Sequence, residues 1–294
     1  MISILIPTYN YKIVALVSEV HKQFSEIKAA FEIRVYEDGS SHFLEENTNI
    51  QELKNVVYKQ FSENKGRTAT RNLLANDASY DWLLFLDADV LPKNSDFIAT
   101  YLKAVEINDD PVIFGGITYV LEAPEKSKRL RWVYGKEREA KFPSERRKNP
   151  FYIISQNLLI QKEVFLQCNT LHGNHYGLDL FFSYQLKRLG YSVAHIDNPI
   201  IHLGLENSED FLKKSLRAID TLIDLENKGM MERDFTSLQK AYLSFKKKKI
   251  LNGAYQLGGR FKKKIERQLC SSNPNLRLFD LYRLHYYFEK KSHA

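Results

Sequence analysis

Ile2–Ile6 is apolar at every position but Ser3 and stops at Pro7, the length and ending of a buried strand. Ile13, Leu16, Val17, Val20, Phe24 and Ile27 then recur at three- and four-residue spacing, which predicts an amphipathic helix. Phe31–Tyr36 and Val56–Phe61 predict two further strands, with a polar loop and helix between them. Residues 66–78 predict a helix, Trp82–Leu86 a strong buried strand, and Asn94–Ile107 another helix. Val112–Phe114 closes the series at Gly115-Gly116. Strands and helices alternating over short connections predict an α/β fold, a mostly parallel sheet flanked by helices. In such sheets ligands bind just outside the carboxyl ends of the strands.

The alternation breaks at residues 122–150, which are rich in charge: Lys126, Lys128, Arg129, Arg131, Lys136, Arg138, Lys141, Arg146, Arg147 and Lys148. Phe151–Ile160 predicts a strand, Leu180–Leu189 a helix capped by Gly190, and Tyr191–Ile196 a strand. From Asn207 the pattern is helical, with Phe211, Leu212, Leu216, Ile219 and Leu222 on one face. A domain over residues 1–205 is therefore expected, its first half 1–120 and its second 121–205, followed by a helical extension over 206–294.

Charge sharpens that division. The net charge is +7, but it is not evenly spread. Of 43 Lys+Arg and 36 Asp+Glu, residues 241–294 hold 13 and 3, which leaves 30 and 33 in residues 1–240. A slightly acidic body carries a strongly basic tail. In that tail Phe245, Ile250, Leu251, Tyr255, Leu257, Phe261 and Ile265 lie among Lys246–Lys249 and Lys262–Lys264. This suits attachment to an anionic membrane surface through 241–294, or packing of the apolar residues on the body with the lysines in water. No nucleic-acid-binding motif accompanies the charge. Hydrophobic residues at 44% exclude a disordered chain. Cys168 and Cys270 are too few for a disulfide framework or a structural zinc site. No 18-residue apolar run and no basic start before Ile2–Ile6 is present, so a cytoplasmic protein is expected, peripheral on a membrane if the tail binds one.

The strand ends carry the candidate chemistry. After the first come Pro7-Thr8-Tyr9-Asn10, where a tyrosine can stack on a nucleotide base. After the second come Glu37-Asp38-Gly39-Ser40-Ser41, either a hydrogen-bonding group for base or ribose or a plain Asp-Gly turn. Trp82–Leu86 runs into Asp87-Ala88-Asp89. Two carboxylates two positions apart in an extended backbone point the same way, so a divalent cation is their natural partner. The alternative is that Asp89 caps the following turn. Asn64-Lys65-Gly66-Arg67 and Arg71-Asn72 open a helix after a strand, which suits a pyrophosphate or a solvated basic helix start. Neither G-x-x-x-x-G-K-[ST] nor G-x-G-x-x-G occurs.

In order and spacing, Ile4-Leu5-Ile6-Pro7-Thr8-Tyr9-Asn10, Glu37-Asp38-Gly39-Ser40, Asn64-Lys65-Gly66 with Arg71-Asn72, and Phe85-Leu86-Asp87-Ala88-Asp89 resemble the family-2 glycosyltransferases of GT-A fold. The likeness covers roughly residues 1–120 and, less tightly, 150–205. It implies inverting transfer of a sugar from a nucleoside-diphosphate donor, a UDP-sugar foremost. Pro7, Thr8, Tyr9 and Asp38 are then expected at the nucleoside, with Asn64, Lys65, Arg71 and Asp87 also on the donor. Asp87 and Asp89 are expected on Mn²⁺ or Mg²⁺ bound to its diphosphate.

The family usually carries a Glu-Asp pair at a helix start in the second half, and its Asp is the general base. Here Tyr176-Gly177-Leu178-Asp179-Leu180 stands at that place, with one acid missing. Counting back from the helix end at Lys187-Arg188-Leu189-Gly190 puts Asp179 on the Asp, and counting forward from Tyr176-Gly177 puts it on the Glu; helix spacing is the stiffer ruler, so Asp179 is the expected base, with a first-turn acid as its alternative. Asn198-Pro199-Ile200-Ile201-His202 resembles the segment whose histidine lies near the metal, so His202 is expected as a third ligand or as a structural histidine. Asn157 and His175 are the acceptor-side candidates, with His172 beside the latter. The implied enzyme is a metal-dependent glycosyltransferase acting on a glycan or lipid-linked hydroxyl in cell-surface polysaccharide synthesis. The alternative is a catalytically impaired scaffold held at the membrane by its basic tail, a reading that the missing acid at Leu178 favours.

Overall fold

The computed structural model describes residues 1–27, 29–171, 173, 176–248 and 261–292. The chain forms two compact units, each assembled from separate stretches. The first takes residues 1–120, 138–174 and 185–204; the second takes 121–137, 175–184 and 205–294.

The first unit is built on a seven-stranded sheet. Its strands are β1 (Ile2–Thr8), β2 (Phe31–Asp38), β3 (Val56–Phe61), β4 (Trp82–Leu86), β6 (Val112–Phe114), β8 (Asn157–Gln161) and β9 (Val193–His195). Their order is β3-β2-β1-β4-β8-β6-β9. β3, β2, β1 and β4 are parallel, as are β6 and β9, while β8 runs antiparallel to both its neighbours. The mostly parallel α/β sheet with flanking helices expected from the sequence is the one observed. Helices α1 (Val14–Ile27), α3 (Arg67–Asp77), α4 (Phe97–Ile107) and α7 (Lys162–Cys168) accompany it, with the shorter α2 (Leu44–Thr48) and α6 (Pro143–Arg146). Ile2, Ile4, Leu5 and Ile6 of β1 are completely buried, as are Leu83, Leu84 and Leu86 of β4. A strand covered on both faces favours apolar side chains on both, which is why these runs do not alternate; the one polar residue of β1, the buried Ser3, donates to Glu32 (2.6 Å).

Two local details differ from the sequence pattern. The strand expected over 151–160 begins only at Asn157. The Gln156 carbonyl still accepts the Asp87 amide in register with β4, but the Ser155 carbonyl accepts from the Arg71 guanidinium (3.0 Å), a side chain in place of a strand amide. A second sheet of three very short strands was not foreseen: β5 (Val90–Pro92), β10 (Ile200–His202) and β7 (Ile117–Thr118). Strands of two or three residues are too short to display a period. This small sheet positions the site, because its register sets His202 opposite Val90.

The second unit is helical. α5 (Arg129–Tyr134), α9 (Ser208–Asn227), α10 (Ser237–Lys247), α11 (residues 261–269) and α12 (Leu276–Ser292) belong to it, and α8 (Leu178–Arg188) starts in it. Leu130, Phe211, Leu212, Ile265, Leu269, Leu276, Phe279 and Tyr282 form one buried cluster, and Phe211 stacks on Phe279 at 5.5 Å. Ile265, Leu269 and the apolar face of α12 are thus turned inward; Lys246, Lys247, Lys248, Lys263 and Lys264 are exposed. Ile250, Leu251, Tyr255 and Leu257 of the tail lie outside the described residues. Glu226 of α9 is buried and ties three helices together. Its Oε1 accepts Gln239 Nε2 (2.7 Å) and Tyr287 Oη (2.6 Å), and its other oxygen pairs with Lys291. No helix among the described residues is long and apolar enough to cross a membrane.

Candidate functional site

The carboxyl ends of β1, β2 and β4, the start of α3 and the turn after β10 all belong to the first unit and carry most of the expected residues. β1 pairs with β4 only as far as Leu5↔Phe85, so Pro7, which has no N–H to donate, stands beyond that ladder. Thr8 is buried, whereas the Tyr9 ring is 55% exposed and free to serve as a stacking surface. Asn10, held at φ 50, knits the next loop to this one: its Oδ1 accepts the amides of Ser41 (2.8 Å) and His42 (3.1 Å).

β2 ends in two carboxylates with different partners. Glu37 is buried and accepts from Asn47 Nδ2 (2.7 Å), Tyr58 Oη (3.2 Å) and the Ser40 hydroxyl. Asp38 is 4% exposed and accepts the backbone amides of Lys65 (2.7 Å) and Gly66 (2.9 Å). Asp38 therefore anchors the loop that leads into α3. Gly39, at φ 70, is required here, because a Cβ would collide with the backbone amide of Asn64. Asn64 and Lys65 are exposed, and the Lys65 ammonium rests 5.2 Å from the centre of the Phe61 ring.

Asp87 leaves β4 into the grip of two arginines. Arg71 Nη2 donates to Oδ1 (2.6 Å) and Arg67 Nη2 to Oδ2 (2.7 Å). Both guanidiniums also reach the Ser155 hydroxyl, at 2.6 and 3.2 Å. Two residues on, Asp89 Oδ2 lies 3.1 Å from His202 Nε2. Burial alone would push the Asp89 carboxyl up. The hydrogen bond and charge of His202, with the charge of Arg67, outweigh that and hold it below the ordinary carboxylate range. The His202 ring meets Tyr119 edge-on at 5.5 Å, and the Tyr119 hydroxyl donates to Glu139. His202 Nδ1 is buried without a hydrogen-bond partner. Gly204 closes the site: a Cβ on it would overlap Asp89 Oδ2.

Two ligand atoms at adjacent positions on one Mn²⁺ or Mg²⁺ lie about 3 Å apart. The oxygen of Asp89 and the nitrogen of His202 have that separation, so the pair fits such a cation. Among the described residues no third His, Cys, Asp or Glu joins them. Each oxygen of Asp87 accepts from an arginine.

The remaining expected residues are placed differently. Asn157 is completely buried, and its amide holds Tyr101 Oη (2.7 Å), the Gly116 carbonyl (2.7 Å) and the Asn198 carbonyl (2.9 Å). It ties strands together and does not face solvent. Arg146, from the basic stretch, is likewise internal, donating to the carbonyls of Phe114, Gly115 and Ile196, with burial lowering its pKa to about 10. Asp179 sits half-buried in the first turn of α8, in the second unit. Gly177, two residues before it, is held at φ 96, and a Cβ there would press on Ala218 at 3.1 Å. His172 and His175 lie outside the described residues. Ser155, Asn10, Tyr119 and Gly204 were not assigned from the sequence. Asn10, the last residue of the first-strand motif, and Gly204, two residues past His202, are the two of these that stand in or beside a motif.

The family model for glycosyl transferase family 2 matches residues 3–168. A chondroitin synthase from Escherichia coli is 27% identical over 121 residues, 40% of this chain and 18% of that protein. An uncharacterized glycosyltransferase from Rickettsia felis is 30% identical over 133 residues, 45% of this chain and 21% of that protein. The matched part is thus about a fifth of the length of each of these curated relatives. Among solved structures, S. aureus TarS 1–349 superimposes with TM-score 0.52 at 15% identity, covering 100% of this chain and 92% of that one. Glucosyl-3-phosphoglycerate synthase from Mycobacterium tuberculosis, in a complex with Mn²⁺, UDP and glucosyl-3-phosphoglycerate, gives 0.54 at 15% identity, covering 79% and 81%. With a family match over more than half its length and a fold shared with these enzymes, the chain belongs to glycosyl transferase family 2.

Proposed function

We propose that the chain is an inverting, metal-dependent glycosyltransferase that moves a sugar from a UDP-sugar to a hydroxyl of a glycan or lipid-linked acceptor. The observation that carries this reading is the Asp89–His202 pair, 3.1 Å apart at the end of a family-2 sheet. TarS in complex with UDP-GlcNAc and the Mn²⁺–UDP complex of the mycobacterial synthase support the choice of donor and metal.

Tyr9 stacks on the base, with Pro7 and Thr8 shaping the floor beside it. Asp38 acts through the loop it holds, presenting Asn64 and Lys65 to the donor. Asp89 and His202 would hold Mn²⁺ or Mg²⁺, whose charge stabilises the departing diphosphate. Asp87 takes no metal in this scheme; it orients Arg67 and Arg71. Asp179 accepts the proton of the acceptor hydroxyl as that oxygen attacks the sugar. Asn157 has no part, since its amide is spent inside the fold.

The test is transfer of label from a panel of nucleotide sugars. Asp89→Ala and Asp179→Asn should each abolish transfer with the thermal unfolding midpoint unchanged. Near-wild-type turnover by Asp179→Asn would refute the base. A wild-type chain that shows no thermal shift with UDP, with or without Mn²⁺, would favour the scaffold reading that Leu178 raises.

The exposed lysines at 246–248 and 263–264 support attachment of the working enzyme to an anionic leaflet by charge alone, since the apolar side chains of α11 and α12 are largely internal. Flotation with phosphatidylserine vesicles should be lost in high salt; salt-resistant flotation would point to inserted apolar residues instead.

A further inference from the structure

Asp87 has two cationic partners of different character. The Arg71 side chain is 6% exposed and bonds the Ser155 carbonyl as well as its hydroxyl, so it is fixed in the fold. The Arg67 side chain is 41% exposed, stands at the first position of α3, and reaches Asp87 and Ser155 through one nitrogen, Nη2. Its charge also acts on Asp89. One buried arginine already neutralises Asp87. The second is surplus to that carboxylate and lies beside the pair that fits the metal.

Sugar transfer creates a need for such a charge. The bond between the anomeric carbon and the β-phosphate oxygen breaks, and its electron pair stays on that oxygen. The acceptor oxygen bonds to the carbon while its proton passes to Asp179. The nucleoside diphosphate leaves with one more negative charge than it carried in the donor.

We propose that Arg67 is a leaving-group residue, which gives up Asp87 for the β-phosphate of the departing nucleoside diphosphate. Arg71 keeps Asp87 paired when Arg67 moves, so the exchange strands no carboxylate. Ser155 holds the returning guanidinium in place between turnovers. This inference rests on the transferase reading above and gives Arg67, within a stretch that suits a pyrophosphate, a defined step in the reaction.

Calorimetric titration of the full chain in the presence of Mn²⁺ tests it, with UDP against UMP and GDP against GMP as probes. Arg67→Ala should weaken the diphosphate about tenfold and leave the monophosphate within about twofold, since only the diphosphate offers the β-phosphate. Arg67→Lys, which keeps a charge, should fall between. Arg67→Gln, which keeps hydrogen bonding without charge, carries the same comparison should alanine unfold the protein. Unchanged diphosphate affinity in Arg67→Ala would overturn the proposal. Equal weakening of mono- and diphosphate would also overturn it, showing that Arg67 merely places Asp87. A wild-type chain that binds none of the four probes would instead bring down the transferase reading, and this inference with it.

Discussion

His202 Nε2 stands 3.1 Å from Asp89 Oδ2 although 113 positions separate them in the chain. The contact is made by the three-stranded sheet. β10 runs antiparallel to β5 with His202 opposite Val90, and the Leu203 amide donates to the Asp89 carbonyl at 2.9 Å. Backbone pairing thus sets the separation of two side chains, and a cation held between them would inherit the rigidity of a ladder.

His202→Ala should therefore weaken Mn²⁺ activation about 10- to 100-fold while transfer at saturating metal partly survives. Asp89→Ala should remove activity at any metal concentration. Mn²⁺ titration of transfer rate in the two variants separates these outcomes; identical metal curves for His202→Ala and wild type would remove the histidine from the site.

Gly204→Ala places a methyl group where Asp89 Oδ2 lies. The carboxylate must turn away from His202, and misplacement of a reacting group by about 1 Å costs on the order of 100-fold in rate. Circular dichroism should stay native while transfer falls by that order. Full activity would show that the turn yields without disturbing Asp89.

Asp38→Ala removes the acceptor of two amides at once. Leaving buried donors unmet costs about 1–3 kcal/mol. Hydrogen exchange should lose protection at Lys65 and Gly66 while β1 keeps its own. Protection unchanged at both amides would show that the loop is held by other contacts.

Stability should fall in mild acid because of His195. Burial, helped by Arg146 and Arg147, outweighs a hydrogen bond to the Pro150 carbonyl and lowers its pKa from 6.5 to about 4. Between those values the unfolded chain binds a proton that the folded chain refuses. Its contribution is thus complete above about pH 6.5 and is lost as pH falls toward 4, by up to about 3 kcal/mol. Urea unfolding across that range should show the slope, and His195→Gln should flatten it. An equal slope in both proteins would assign the acid sensitivity to other groups.

The two halves of the candidate site were legible to different degrees. Asp87 and Asp89 were visible in the sequence because they follow an apolar run that reads as a buried strand, and Asp38 because it ends a strand pattern at an Asp-Gly turn; strand ends are where such sheets bind ligands. The partners of those carboxylates were not visible. Ser155 sits in what reads as a continuous strand. Asn157 reads as a cleft residue and is instead an internal tie, because an amide can satisfy three segments at once when packing closes around it.

Local pattern was sufficient for the α/β alternation, the parallel strands β1 to β4 and the helices beside them, since covering a strand on both faces dictates its composition. Family membership followed from short ordered motifs at those strand ends. Tertiary packing alone decided which carboxylate meets an arginine, which meets a histidine and which holds a loop. Hydrogen-bond partners depend on angles and distances across long loop closures, and neither residue type nor spacing encodes them.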